Sequence, residues 1–416
     1  MVEVLSFQRL LKPRIFEAMS DTPVVVITGP RQSGKTTLSK QWVNHDFQYI
    51  TLDDELTALS AQEDPTKLIN SYKKVVIDEV QRVPSLLKAI KISVDENRKP
   101  GRFLLTGSSN LMTIPTVAES LAGRMETLSL FPLSQSEIEG NKENWLDNIF
   151  NKKLNQPKLS QQKLTDRVLR GGFPEMVARP SYRRRVAWAR QYIDSLVQRD
   201  VRDIADIEKL DRLPRFLTAL AQVAGQLCNY TQLGAQVQID AKTAAKYVAI
   251  LEQIFLLRRI DVWAPNRLSR VIKTPKIQFI DSGLLSSLLE LTPNELKKDR
   301  NRFGKVLESF VFSELIKHIA NADGRYQVLY YRDTDKSEVD FIVENGGGDL
   351  VAIEVKAATT VRSADLKSIR KLATLAGDRL KVSVVFYDGN IALPIGNNIW
   401  AVPIASLWGS EVMPTD

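Results

Sequence analysis

The sequence predicts an α/β protein with a parallel sheet near its N-terminus, a largely helical middle and a second α/β domain at its C-terminus. Three observations carry this expectation. Strand-like apolar runs alternate with helical patterns from residue 21 to about 135. Helical periodicity then runs almost unbroken over 166–262, and helix–strand alternation returns near Phe303. A chain of 416 residues suits two or three domains, each able to bury its own core. No internal repeat or low-complexity tract interrupts the pattern.

In the first domain the apolar runs are Val24–Thr28, Phe47–Leu52, Lys74–Ile77, Phe103–Thr106 and Met125–Leu130. The first leads into Gly29-Pro30-Arg31-Gln32-Ser33-Gly34-Lys35-Thr36, which fits G-x-x-x-x-G-K-[ST] at every fixed position, and Thr37 follows. Glycine at 29 and 34 lets backbone N–H groups turn inward around phosphate oxygens, and the helix expected over 36–43 adds its positive end. Lys35 supplies a charge to the β/γ-phosphates and the Thr36 hydroxyl can ligate Mg²⁺, so the anion is a nucleoside triphosphate. The stretch KKVVIDEVQRVP places Asp78 and Glu79 at the C-terminal end of a buried strand, where open α/β sheets keep their chemistry. Asp78 is expected to hold Mg²⁺ through water and Glu79 to polarise the attacking water. The next strand ends in GSSN, so Ser108, Ser109 or Asn110 can sense the γ-phosphate.

The stretches GPRQSGKTT, VVIDEVQRVP, LLTGSSN, SLAGRMETLSLFPLSQSE and GGFPEMV occur in that order. Together they resemble a family of bacterial and archaeal AAA-type ATPases that join a P-loop domain to a C-terminal domain of unknown function. The resemblance implies ATP and Mg²⁺ as cofactors and a P-loop AAA-type parallel sheet. It also implies that Arg124, in SLAGR, is an arginine finger serving a neighbouring subunit, and hence a ring-like homo-oligomer. The corresponding boundaries are 1–137 for the ATPase domain, 138–165 for a polar linker, 166–290 for a helical lid and winged-helix region, and 300–416 for the last domain.

In the middle region Thr231 is expected to cap a short helix ending near Gly234. A longer helix from Asp240 then carries Ala244, Tyr247, Val248, Leu251 and Ile254 on one side, with Lys242 and Lys246 opposite. In a winged helix those lysines face DNA phosphate, although such modules also serve purely as packing inside ATPases.

The last domain reads as a helix at Phe303–His318, strands at Tyr326–Arg332, Glu338–Glu344 and Leu350–Lys356, a helix near Ala364–Leu375 and a strand at Val382–Tyr387. That order resembles the restriction-endonuclease-like fold. A hairpin centred on Gly347 pairs Asp340 with Glu354 and sets Glu338 opposite Lys356. It sends Val339, Phe341 and Val343 to one apolar face with Val351, Ile353 and Val355. Asp340, Glu354 and Lys356 then converge, and Glu308 can add a third carboxylate. Carboxylates holding Mg²⁺ beside a lysine suit phosphodiester hydrolysis. The same fold also serves, without activity, for binding or assembly.

Composition narrows the partners. Lys and Arg exceed Asp and Glu by 57 to 49, a net +8 compatible with DNA, including branched or single-stranded DNA. No apolar run approaches the roughly 20 residues of a membrane span. The single cysteine, Cys228, and the lack of a signal pattern suit the cytoplasm, and two histidines, His45 and His318, do not make a zinc site. The expectation is an ATPase acting on DNA through a nuclease or branched-DNA-binding module. Its rivals are a regulatory switch whose C-terminal domain binds a protein, and a protein-remodelling ring.

Overall fold

A computed structural model describes residues 7–43, 46–108, 121–157, 163–204, 210–266, 274–409 and 411–414. The chain divides into two compact units, Gln8–Pro132 with Gln253–Phe255, and a second spanning Leu133–Glu252 and Leu256–Asp416.

The first unit is built on five parallel strands in the order β2-β3-β4-β1-β5: β1 Val24–Thr28, β2 Gln48–Thr51, β3 Val75–Asp78, β4 Phe103–Gly107 and β5 Met125–Ser129. The three central strands are continuous apolar runs because helices cover both faces, so no solvent side is left to be polar. Val24, Val75, Ile77, Phe103 and Leu105 pack against Leu86, Leu87, Ile90 and Val94 of the helix Leu86–Glu96 on one face. Val25, Ile27, Val76 and Leu104 pack against Leu11, Ile15 and Leu38 on the other. The helix after the loop is shorter than expected, Lys35–Ser39, and tightens into a 3₁₀ turn over Lys40–Trp42.

The second unit holds both the middle region and the last domain. Residues 138–165, which read as a polar linker, contain a helix Trp145–Phe150 and a strand β6, Lys153–Gln156. Trp145, Leu146 and Ile149 are buried there, and the Trp145 ring meets Phe386. Three apolar side chains among many Asn and Lys are too few to show as periodicity. The helices Leu213–Gln222, Tyr230–Gln236 and Ala241–Gln253 precede an antiparallel pair, β7 Leu257–Ile260 and β8 Lys276–Phe279. Asn229, not Thr231, caps the second of these helices by accepting the Gln232 N–H. Asp240 caps the third through Thr243. Beyond β7 the chain adds Val262 to the edge of the large sheet beside Tyr330.

That sheet has the order β13-β14-β12-β11-β10-β9: β9 Tyr326–Arg332, β10 Glu338–Asn345, β11 Leu350–Lys356, β12 Leu380–Tyr387, β13 Leu393–Gly396 and β14 Ile399–Pro403. The terminal β15, Glu411–Pro414, pairs with β6. The helix Arg300–Asn321 and the helix Lys367–Ala376 flank the sheet. The β10–β11 hairpin has the expected centre, since Phe341 faces Ile353 and Val343 faces Val351. One expectation fails: Val339 packs with Ile342, Leu350 and Ala352 instead of with Phe341. The cause is a bulge, for β10 slips by one residue against β9 between Val339 and Ile342, which reverses the side-chain parity there.

Candidate functional site

The P-loop follows β1 in the first unit. Gly29 has φ +151°, and a Cβ there would fall on the Leu130 carbonyl oxygen, so only glycine lets the loop pass that close to the chain leaving β5. Lys35 is buried, and its Nζ donates to the carbonyls of Gly29 at 2.9 Å and Pro30 at 2.8 Å. Arg9 braces the loop by donating to the carbonyls of Ser33 and Phe131, each at 2.6 Å. The Ser33 hydroxyl is fully buried with no hydrogen-bond partner among the described residues, an acceptor-and-donor group inside the loop. Gln32 adopts the left-handed conformation and is exposed, as is Thr37, while Arg31 is half-buried.

Asp78 ends β3 and gathers hydroxyls. Its Oδ2 accepts from Thr36 Oγ1 at 2.8 Å and Tyr49 at 2.8 Å, and its Oδ1 accepts from Thr106. Burial and then Asp78 itself push the Tyr49 phenol well above its ordinary pKa, so Tyr49 stays a neutral donor. Thr36 and Asp78 thus lie side by side where a hard cation would be shared between them. Glu79 sits in the left-handed region at φ 57°, which turns its side chain off the strand. Gln81 donates from Nε2 to Glu79 and, at 3.0 Å, to Ser108. Sequence reasoning missed Tyr49, Thr106 and Gln81. They lie on separate strands and turns, and single polar residues carry no spacing signal. Asn110 lies outside the described residues.

Arg124 is not part of this constellation within its own chain. It precedes β5, whose Met125 faces Val24, whereas the P-loop follows Thr28 at the other end of β1. Five strand residues separate the two by about 15 Å. Its guanidinium forks onto Asp95, Nε to Oδ1 at 2.6 Å and Nη2 to Oδ2 at 3.0 Å, and Asp95 is held below the usual carboxylate range by that contact.

In the second unit Glu308, Asp340, Glu354 and Lys356 do gather, but not as a metal cage. The hairpin ladder stops at Phe341–Ile353, and Asp340 Oδ2 instead accepts the Val355 N–H at 2.8 Å. Lys356 does not meet Glu338. It binds Glu354 at 2.7 Å, while Glu338 takes Arg332 at 3.0 Å and Lys276. Lys276, from β8, is buried with its Nζ 3.7 Å from Glu308. The Gln278 amide donates to Glu308 at 3.0 Å. Burial, then Asp340, push the Glu308 carboxyl up to about 8, and the same causes push Glu354 up to about 8. Burial opposes the charge on Lys276, yet Glu308, Asp340 and Glu338 raise its pKa above the ordinary value. Among the described residues no three His, Cys, Asp or Glu side chains are arranged to hold a metal ion. The expected Mg²⁺ set of Glu308, Asp340 and Glu354 therefore does not fit. Sequence reasoning missed Lys276 because it lies far upstream of the D…E-x-K stretch.

Among the described residues no helix is long and apolar enough to cross a membrane. Residues 161–295 match a family model described as a domain of unknown function (DUF8612), and residues 303–407 match another (DUF4143). An uncharacterized protein of Mycobacterium tuberculosis and one of Mycobacterium bovis are each 29% identical over 394 residues, 94% of this chain and 82% of theirs. AMPPCP-bound DnaA from Aquifex aeolicus aligns over 58% of this chain and 86% of its own, with 12% identity and a TM-score of 0.29. McrB of Thermococcus gammatolerans, solved as AAA+ hexamers with bound McrC, aligns over 80% and 95%, with 10% identity and a TM-score of 0.23. Residues 21–139, the stretch that carries the P-loop, match the family model described as an AAA domain.

Proposed function

We propose that the chain hydrolyses MgATP at the P-loop and uses the cycle to act on DNA, with the second unit as a DNA-binding module. The observation that carries the ATPase half is the Thr36–Asp78 pair beside Lys35 and Glu79. Bound there, Mg²⁺ would neutralise charge developing on the β/γ-phosphates. The backbone of 29–37 would cradle the phosphates, and the buried Ser33 hydroxyl would find its partner among them. Lys35 would exchange its two carbonyl acceptors for phosphate oxygens. Glu79, once released by Gln81, would orient the attacking water, and Ser108 would report the γ-phosphate through the same amide. Arg124, too far from its own loop, would serve a neighbouring copy in a ring-like homo-oligomer.

The DNA half rests on the helices followed by the β7–β8 pair, with Lys242 and Lys246 exposed on the helix Ala241–Gln253. Most of the chain's positive excess lies outside residues 8–132. Cutting is left out of this proposal because the buried Lys276 stands among the carboxylates of the second unit.

The test pairs ATP turnover with DNA binding across a salt series. Lys35→Ala should abolish turnover, and Glu79→Gln should keep ATP binding while hydrolysis falls by about 10²–10⁴-fold. Affinity for duplex, single-stranded or branched DNA should drop steeply with salt, because phosphate contacts release counterions. Native turnover in Lys35→Ala would end the ATPase half. Failure to bind any of the three DNA forms at low salt would end the DNA half.

A further inference from the structure

The carboxylates at the splayed end of β10 and β11 are not short of positive charge. Lys276 Nζ is ion-paired with Glu338, lies 3.7 Å from Glu308, and stands 5.4 Å from the centre of the Tyr330 ring. Lys276 is 1% exposed, so its charge has no water to lean on and depends on these partners. On the far side Lys356 takes one oxygen of Glu354, while the other, Oε2, is buried with no hydrogen-bond partner among the described residues. Arg332 completes the set by donating to Glu338. A divalent ion entering this pocket would stand within a few ångströms of a buried ammonium and be repelled by it.

We propose that Lys276 is a resident cation that takes the place of a divalent metal in this pocket. The pocket becomes a Mg²⁺ or Mn²⁺ site only when Lys276 leaves it. The ammonium arrives from β8, an element of the middle region, so the same contact that docks β7–β8 onto the last domain also fills the centre. Glu354 Oε2 is the oxygen that a metal would use, displacing its proton, once the lysine is gone. This inference stands whether or not the second unit binds DNA.

The experiment is Mn²⁺ binding to the full chain without nucleotide, followed by electron paramagnetic resonance. Native protein and Asp340→Asn should take up the same amount of Mn²⁺, since neither offers a site here. Lys276→Ala should gain one Mn²⁺, held at least about tenfold tighter than any native uptake, a difference of about 1.4 kcal/mol. Adding Asp340→Asn to Lys276→Ala should remove it. Native uptake that disappears in Asp340→Asn would overturn the proposal, and so would a Lys276→Ala chain that gains nothing. Where Lys276→Ala does not fold by itself, refolding yield gives the same answer. Recovery with Mn²⁺ that is lost in the double variant supports the resident cation, and a yield indifferent to Mn²⁺ overturns it.

Discussion

Asp281 is a good place to measure what a buried carboxylate contributes to the second unit. It is 1% exposed, and its Oδ1 accepts the N–H groups of Gly283 and Leu284, both at 3.0 Å. Its Oδ2 accepts the Gly172 N–H at 2.7 Å. Gly171 and Gly172 are required at this crossing, because a Cβ on Gly171 would fall on Asp281 Oδ1 and one on Gly172 on the Leu133 carbonyl oxygen. In Asp281→Asn the amide keeps its oxygen toward the two helical N–H groups and turns its NH₂ toward Gly172. One hydrogen bond is lost, and the Gly172 N–H and the amide's own N–H groups are left facing each other as buried donors. Each term is on the order of 1–3 kcal/mol, so a loss of roughly 2–6 kcal/mol is expected. Asp281→Ala orphans three donors and should cost more. Urea unfolding followed by tryptophan fluorescence reads this unit, because Trp145, Trp188, Trp263, Trp400 and Trp408 belong to it and only Trp42 to the other. The Asn variant should shift the midpoint down by about 1–2 M. An Asn midpoint at the native value, or an Ala variant no worse than Asn, would refute the hydrogen-bond accounting.

Three further outcomes are expected. Gly29→Ala should destabilise the first unit and abolish ATP binding, read by nucleotide fluorescence titration, because its methyl collides with Leu130. Arg124→Ala mixed with Glu79→Gln should recover some ATP turnover that neither variant has alone, and no recovery among exchanging subunits would rule out action in trans. The raised carboxyls of Glu308 and Glu354 bind protons in the folded chain that the unfolded chain has already released above about pH 4.3. Their contribution to stability is therefore full in acid and lost as pH rises toward 8, so melting temperature should fall between pH 5.5 and 8.5, less steeply in Glu354→Gln.

Much of this architecture is legible in the residues themselves. The five N-terminal strands show as apolar runs because a parallel sheet covered on both faces leaves no polar alternation to confuse them. The Gly347-centred hairpin is legible because the charged residues of β10 and β11 fix its register. The bulge at Asp340 is not, since nothing local marks a residue that has no opposite number on β9. The edge strand β13 is four residues that include Pro394 and Gly396, and β14 beside it is only five, so neither carries a pattern. The candidate site divides in the same way. Gly29 to Thr36, Asp78 and Glu79 are contiguous with a strand and carry a spacing. Tyr49, Gln81 and Lys276 reach their sites only through tertiary packing, and Lys276 changes the chemistry expected of the carboxylates it meets.

Cys228 turns the β8 contact into something a chemist can time. The thiol is 2% exposed, burial pushes its pKa up to about 12, and its backbone N–H donates to the Pro275 carbonyl at 2.9 Å, beside the Leu227–Lys276 bridge. A thiol that is both shielded and protonated is almost inert to maleimide or disulfide reagents. It is the chain's only sulfhydryl, so each labelling event has a single address. The rate at which reagent reaches it counts the openings of this segment, and comparing that rate with and without ATP turns one silent cysteine into a clock for Lys276 leaving its pocket.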